Sequence, residues 1–174
     1  MATKRSKRLS PLRRRMAYDA IEMCLTKFVP RLKDKIFIQL NGEYDLLDNE
    51  GHYGDCDWYD FDSQLPRQFT IRVDNNLPLN LFISTILHEM VHVKQYAKGE
   101  MRWLSRKERT RWKDKIISDR RNYHDLPWEI EAHGYEEGLM RQFKDKFPRW
   151  AEIIEGCEDT PLENYNHRQM RLKF

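Results

Sequence analysis

Apolar positions recur along this chain with two different periods, and the change from one to the other predicts its elements. Met16, Ala20, Met23, Leu25 and Phe28 approximate one helical face, which Ser10 and Pro11 can open and Pro30 can close. Ile36-Phe37-Ile38-Gln39-Leu40 is a short β-rich run, and Asn41-Gly42 after it predicts a turn. Gln68-Phe69-Thr70-Ile71-Arg72-Val73-Asp74 alternates as a half-buried strand does. The apolar stretch at 79–99 includes Phe82, Ile83, Ile86, Leu87, Met90, Val91 and Val93, without Gly or Pro before Gly99, and Asn80 is its N-cap candidate. It predicts a buried helix. A further helix follows from Pro127, with Asp125 as a candidate cap, and Pro148 opens a last short one that Gly156 ends.

Two segments are patterned by charge. Between positions 43 and 62 there are eight acids and no Lys or Arg, with Tyr44, Tyr53, Trp58 and Tyr59 interleaved. The order of acids a calcium loop requires is missing, so the segment reads as an acidic hairpin anchored by aromatics. Residues 102–121 carry nine basic side chains, from Arg102 to Arg121 inclusive, with Trp103 and Trp112 among them. They read either as a solvated helix, which Ser105 and Glu108 could cap, or as a basic surface for nucleic acid. The basic positions from Lys4 to Arg15 have no acid among them and read as a solvated arm or a second phosphate contact.

Length and composition frame these elements. A chain of 174 residues can bury a core as one domain, taken here as 11–156, between a basic arm at 1–10 and a tail at 157–174. The expected fold class is α+β, a small mixed or antiparallel sheet packed on the 79–99 helix and on the helix after Pro127. Cys24, Cys56 and Cys157 are widely spaced and odd in number, which argues against a disulfide framework or a cysteine metal site. No apolar stretch follows the basic N-terminus as a secretory signal would, and none is long enough to span a bilayer. The reading is a cytoplasmic protein, in a host cytoplasm or a virion if the chain is viral.

The candidate chemistry lies in His88-Glu89-Met90-Val91-His92. At about 100° per residue, His88 and His92 fall one turn apart on a polar stripe with Ser84, Thr85 and Gln95, on a helix otherwise apolar. Two imidazoles so placed can reach one Zn²⁺, and Glu89 beside them can take a proton from metal-activated water. A catalytic zinc needs a third protein ligand. Glu129, Glu131 and His133 are all available on the helix after Pro127. Glu131 shares a side with Gly134 and Gly138, which would let the helices approach closely, while Glu129 and His133 point away from that side. Helical geometry alone leaves the choice open.

H-E-x-x-H followed by Pro127-Trp128-Glu129-Ile130-Glu131-Ala132 resembles the gluzincin branch of the zincin metallopeptidases, and the small phage and bacterial proteins called SprT-like. The resemblance covers mainly 69–143 and rests on two short motifs. It implies a zincin-like fold and metal-assisted hydrolysis of a peptide or protein substrate. His88 and His92 would be zinc ligands and Glu89 the general base; Glu131, followed by a small residue, would be the carboxylate ligand. In such peptidases a strand beside the motif helix pairs with extended substrate, and 69–73 is the candidate. Tyr135, Tyr123 and His124 are candidate oxyanion donors, and Asp125 or Asp74 could orient a ligand imidazole. SprT and Spartan proteins themselves use a third His followed by Gly, nearer the first motif than His133-Gly134 lies here. That departure weighs against a DNA-repair role.

Overall fold

A computed structural model describes residues 8–60, 63–104 and 108–157. It is a mixed α+β structure built around one helix, α3 (Leu79–Ala97). Phe82, Ile83, Ile86, Leu87, Met90, Val91 and Val93 of that helix are at most 1 % exposed, so most of its circumference is wrapped by other elements. Those elements are α1 (Pro11–Phe28), α4 (Pro127–Lys146) and two strands, β2 (Gly54–Trp58) and β3 (Gln68–Asp74). Helix α3 begins two residues earlier than an N-cap at Asn80 would place it. Pro78 is the N-cap, and Asn80 lies inside, its side chain accepting from Leu81 N. Gly99, at φ 70°, supplies the left-handed stop, with Lys98, Gly99 and Glu100 amides returning to the last carbonyls.

The first sheet has the order β1-β3-β2, where β1 is Phe37–Glu43. β1 runs parallel to β3 and β2 antiparallel to it. β3 is therefore the central strand, which corrects the expectation that 69–73 offers a free edge: its backbone groups are taken on both sides. β2 is the edge. The predicted turn at Asn41-Gly42 is also absent, because β1 stays paired through Glu43↔Asp74, and a full parallel ladder outweighs a local turn preference. The segment from 43 is not a hairpin. It contains a short helix, α2 (Leu46–Glu50), and then β2; its positions 61 and 62 lie outside the described residues. Arg72 on β3 gathers Glu50 and Asp55, so part of the acidic segment is folded against a cation.

The basic segment is a second sheet and not a helix. β4 (Met101–Leu104), β5 (Arg109–Trp112) and β6 (Lys115–Ser118) form an antiparallel meander. On β5 the exposed residues Arg109 and Arg111 alternate with buried Thr110 and Trp112, the period of a strand. Glu108 and Lys113 adopt positive φ in the connections, and the Ser105 half of the expected capping box lies outside the described residues. One face of this sheet joins Met101 and Trp112 to Leu126 and Trp128 in a small second core at the start of α4.

Ser10 caps α1 as expected, accepting from Arg13 N, with Pro11 in the first turn. Arg13 belongs to the fold and not to a solvated arm. Its guanidinium donates to Leu77 O at 2.6 Å and lies over the Phe82 ring, tying α1 to the start of α3. The helix α5 (Pro148–Glu155) closes the described chain, with Trp150 Nε1 donating to Asp19 Oδ2 on α1. Residues 1–7 and 158–174, and with them most of the expected arm and tail, lie outside the described residues. Among the described residues no helix is long and apolar enough to cross a membrane.

Candidate metal centre

The polar stripe of α3 faces the start of α4 across a cleft of about 610 Å³. β2 forms the opposite wall. Gly54 opens that strand, and a Cβ there would meet Thr85 Cγ2 of α3 at 2.6 Å and the Arg72 carbonyl at 2.7 Å. The strand can lie this close to α3 only because a glycine stands at the crossing. His52, Asp55 and Cys56 line the same wall, while Tyr123, His124, Trp128 and His133 line the side nearer α4.

At the floor, His88, His92 and Glu129 are each 7 % exposed, and their side-chain nitrogen and oxygen atoms converge. His88 Nε2 is 3.2 Å from Glu129 Oε2, His92 Nε2 is 3.4 Å from the Glu129 carboxylate, and the two Nε2 atoms are 3.1 Å apart. The outward nitrogens determine what those atoms carry. His88 Nδ1 lies 2.7 Å from Glu136 Oε1, a carboxylate that only accepts, so the hydrogen of a neutral His88 is on Nδ1. His92 Nδ1 lies 2.8 Å from Gln95 Oε1 in the same relation. Neutral imidazoles held this way turn two Nε2 lone pairs toward a third acceptor, and three such atoms repel unless a cation sits among them.

A proton can meet part of that demand, and a metal ion can meet all of it. Four ligands held tetrahedrally at zinc's usual 2.0–2.1 Å lie about 3.3–3.4 Å from one another. The triangle of 3.1, 3.2 and 3.4 Å is of that size. The donor set, two imidazoles and one carboxylate, is also one that zinc accepts with a position to spare. His88, His92 and Glu129 thus fit the ion.

Glu129 occupies the place that the sequence reading gave to Glu131. The two carboxylates are two residues apart, so about 200° separates them around α4, and only one can face α3. Glu131 Oε2 instead accepts from Lys94 Nζ at 2.8 Å and from Gln95 Nε2 at 3.0 Å. Gly134 and Gly138 face open space and permit no closer approach. His133 lies on the cleft side, its Nδ1 held by Glu136 Oε1 at 2.7 Å, the same oxygen that receives His88. Glu129, His133 and Glu136 stand at i, i+4 and i+7, a polar stripe on α4 that answers the one on α3. That spacing was the available signal for Glu136, which the sequence reading missed.

Glu89 lies beside the trio, 5 % exposed and lining the cleft. Burial raises its pKa above the ordinary carboxylate range, against the lowering influence of His92 and His88. Burial also works against charge on Glu129, but hydrogen bonds from His88, His92 and Tyr123 hold it well below that range. Tyr123 and His124 stand at the cleft, whereas Tyr135 packs edge-on against Phe28 in the core. Asp74 accepts from the Leu47 and Asn76 amides, away from the imidazoles, and Leu126, not Asp125, is the N-cap of α4. Neither aspartate meets a ring nitrogen of His88 or His92; Glu136 and Gln95 do so. The cysteines are free, and burial raises the thiol pKa of both Cys24 and Cys56.

No family model, curated protein or solved structure matches the chain.

The metal-free site has a pH signature. Burial lowers the His88 pKa, but hydrogen bonds with Glu129 and Glu136 overcome this and raise it to about 10, from 6.5. A group whose pKa is raised on folding contributes stability that is complete below the unfolded value and lost as pH rises through the folded one. Chelator-treated protein should therefore lose thermal stability from pH 6.5 toward 10. Over the same range the stabilisation by added zinc should grow, since the ion displaces the protons. Melting temperatures followed by circular dichroism measure both slopes. A His88→Asn variant with the same slope as the parent would contradict the assignment.

Proposed function

We propose that the chain is a zinc-dependent metallopeptidase of zincin-like architecture, with His88, His92 and Glu129 as the metal ligands and Glu89 as the general base. The observation that carries this reading is the convergence of two imidazole nitrogens and a carboxylate oxygen at the floor of a cleft, with the buried carboxylate of Glu89 beside them. A metal serving only as a staple would not need the fourth group. Bound zinc supplies Lewis acidity, which acidifies a water and polarises a carbonyl.

The chain's own residues do the rest. Glu89 takes the proton of the attacking water and delivers it to the leaving amine, a task suited to a buried carboxylate with a raised pKa. Tyr123 donates to Glu129 and steadies that ligand, and Glu136 steadies His88. The outer edge of β2 has no strand partner among the described residues and borders the cleft through Gly54, Asp55 and Cys56. An extended peptide can add to that edge, its backbone groups pairing with β2 and its scissile bond held over the floor.

Purified protein should contain close to one zinc per chain and cleave an unstructured substrate such as casein in a chelator-sensitive way. Glu89→Gln should keep the zinc and lower kcat/KM by at least about 100-fold. Glu129→Ala should lose the zinc. Full activity in Glu89→Gln would refute the mechanism, and zinc retained by Glu129→Ala but lost from Glu131→Ala would refute the ligand set.

A specific observation favours a second activity of the same chain, contact with nucleic acid. Arg102 and Arg111 are directly paired across β4 and β5, and Arg109 lies on the same outward face two residues from Arg111. Like charges placed opposite one another destabilise a sheet, and a phosphate backbone would relieve them. Replacing Arg102, Arg109 and Arg111 with serine should weaken binding to a DNA oligonucleotide and flatten its salt dependence in fluorescence anisotropy. No binding by the parent protein at low salt would dismiss the idea.

A further inference from the structure

Glu131 and Gln95 form a chain of contacts that ends on a metal-ligand candidate, and its logic follows from which groups can donate. Gln95 is 0 % exposed and stands three residues beyond His92 on α3. One end of its amide faces two groups that can only accept, Trp128 O at 3.0 Å and Glu131 Oε2 at 3.0 Å. That end is consequently the NH₂, and the carbonyl Oε1 is left facing His92 Nδ1 at 2.8 Å. An acceptor there obliges Nδ1 to carry the imidazole hydrogen and leaves the Nε2 lone pair toward His88 and Glu129.

We infer that Gln95 is a positioning residue for the metal centre, set in its orientation by Glu131 and the Trp128 carbonyl, and that it fixes both the tautomer and the ring angle of His92. The inference rests on the reading of His88, His92 and Glu129 as zinc ligands. Glu131 is held in turn from three places. Lys94 on α3 contributes its ammonium at 2.8 Å, Lys113 in the β5–β6 turn stands at 3.5 Å, and α4 supplies the backbone. Lys94 also pairs with Glu100, which leads into β4. The second sheet is thereby connected through Glu131 and Gln95 to His92.

The arrangement separates the inner carboxylate from the outer one. Glu129 meets the imidazoles themselves, whereas Glu131 acts through an amide and has two ammonium groups against its charge. Losing an outer partner of a ligand imidazole commonly weakens metal binding by about 10–100-fold.

The test is zinc affinity, measured by competition with a chromophoric chelator, with apo-protein melting temperature recorded alongside. Gln95→Leu should bind zinc about 10–100-fold more weakly than the parent. Glu131→Ala should weaken it in the same direction by less, because Trp128 O remains. Nitrogen-15 shifts of the zinc-loaded parent should show His92 bound through Nε2 with its hydrogen on Nδ1. If Gln95 only fills space, Gln95→Leu will lower the melting temperature and leave zinc affinity unchanged, and the inference falls. Should Gln95→Leu not fold, unchanged affinity in Glu131→Ala overturns it equally. Failure of the parent itself to bind zinc would instead remove the metal reading on which the inference rests.

Discussion

Three acceptors brought within 3.1–3.4 Å of one another in a buried place are an electrostatic problem, and the fold keeps them there. Two come from α3 and one from α4. Each imidazole has its other nitrogen committed to an acceptor, Glu136 for His88 and Gln95 for His92, so neither ring can relieve the conflict by turning over. A positive charge at the centre relieves it. In its absence protons do part of the work, and this is why His88 is held protonated to about pH 10 while Glu129 is held ionised. A buried polar cluster of this kind is stabilising only when every member is satisfied.

The surrounding structure positions the two helices that create the conflict. The apolar sides of α3 are covered by α1, the first sheet and α4, which leaves Ser84, Thr85, His88, Glu89 and His92 along the cleft. Arg13 pins the beginning of α3, and Gly54 lets β2 approach its middle. The small second sheet packs Met101 and Trp112 against Leu126 and Trp128, where α4 starts, so the first turn of α4 is fixed just before Glu129. Lys94, Glu131 and Gln95 then lock the two helices in rotation about one another. Rotating α4 to present Glu131 inward would bury Glu131 and leave Lys94, which is only 6 % exposed, with Glu100 as its one remaining carboxylate among the described residues.

Much of this was legible in the order of residues. The apolar circumference of α3, its two histidines and the acid between them are a local pattern, as are Ser10-Pro11, Pro127 and Pro148 at the helix starts. The α+β class followed from strands and helices read separately. What the sequence could not settle was rotation. Trp128, Leu139 and Phe143 mark the buried side of α4, but Glu129 and Glu131 are about equally offset from it. The decision is made by Lys94 and Gln95, more than thirty residues away, which capture Glu131. The basic segment was misread for a different reason. Its alternation at Arg109-Thr110-Arg111-Trp112 spans only four residues, too few for a period of two to stand out in a run of charged side chains. The strand at 68–74 was found, while its central position depended on a parallel partner and an antiparallel one that no local pattern reports.

The central claim is that a metal ion binds between α3 and α4 at His88, His92 and Glu129. Crystals grown with zinc and measured on both sides of the zinc absorption edge test it most directly. The account predicts one strong anomalous peak about 2.0–2.2 Å from His88 Nε2, His92 Nε2 and a Glu129 oxygen, with Glu131 still bound to Lys94 and Gln95. A peak coordinated by Glu131 in place of Glu129, or no peak at the two histidines, would contradict it.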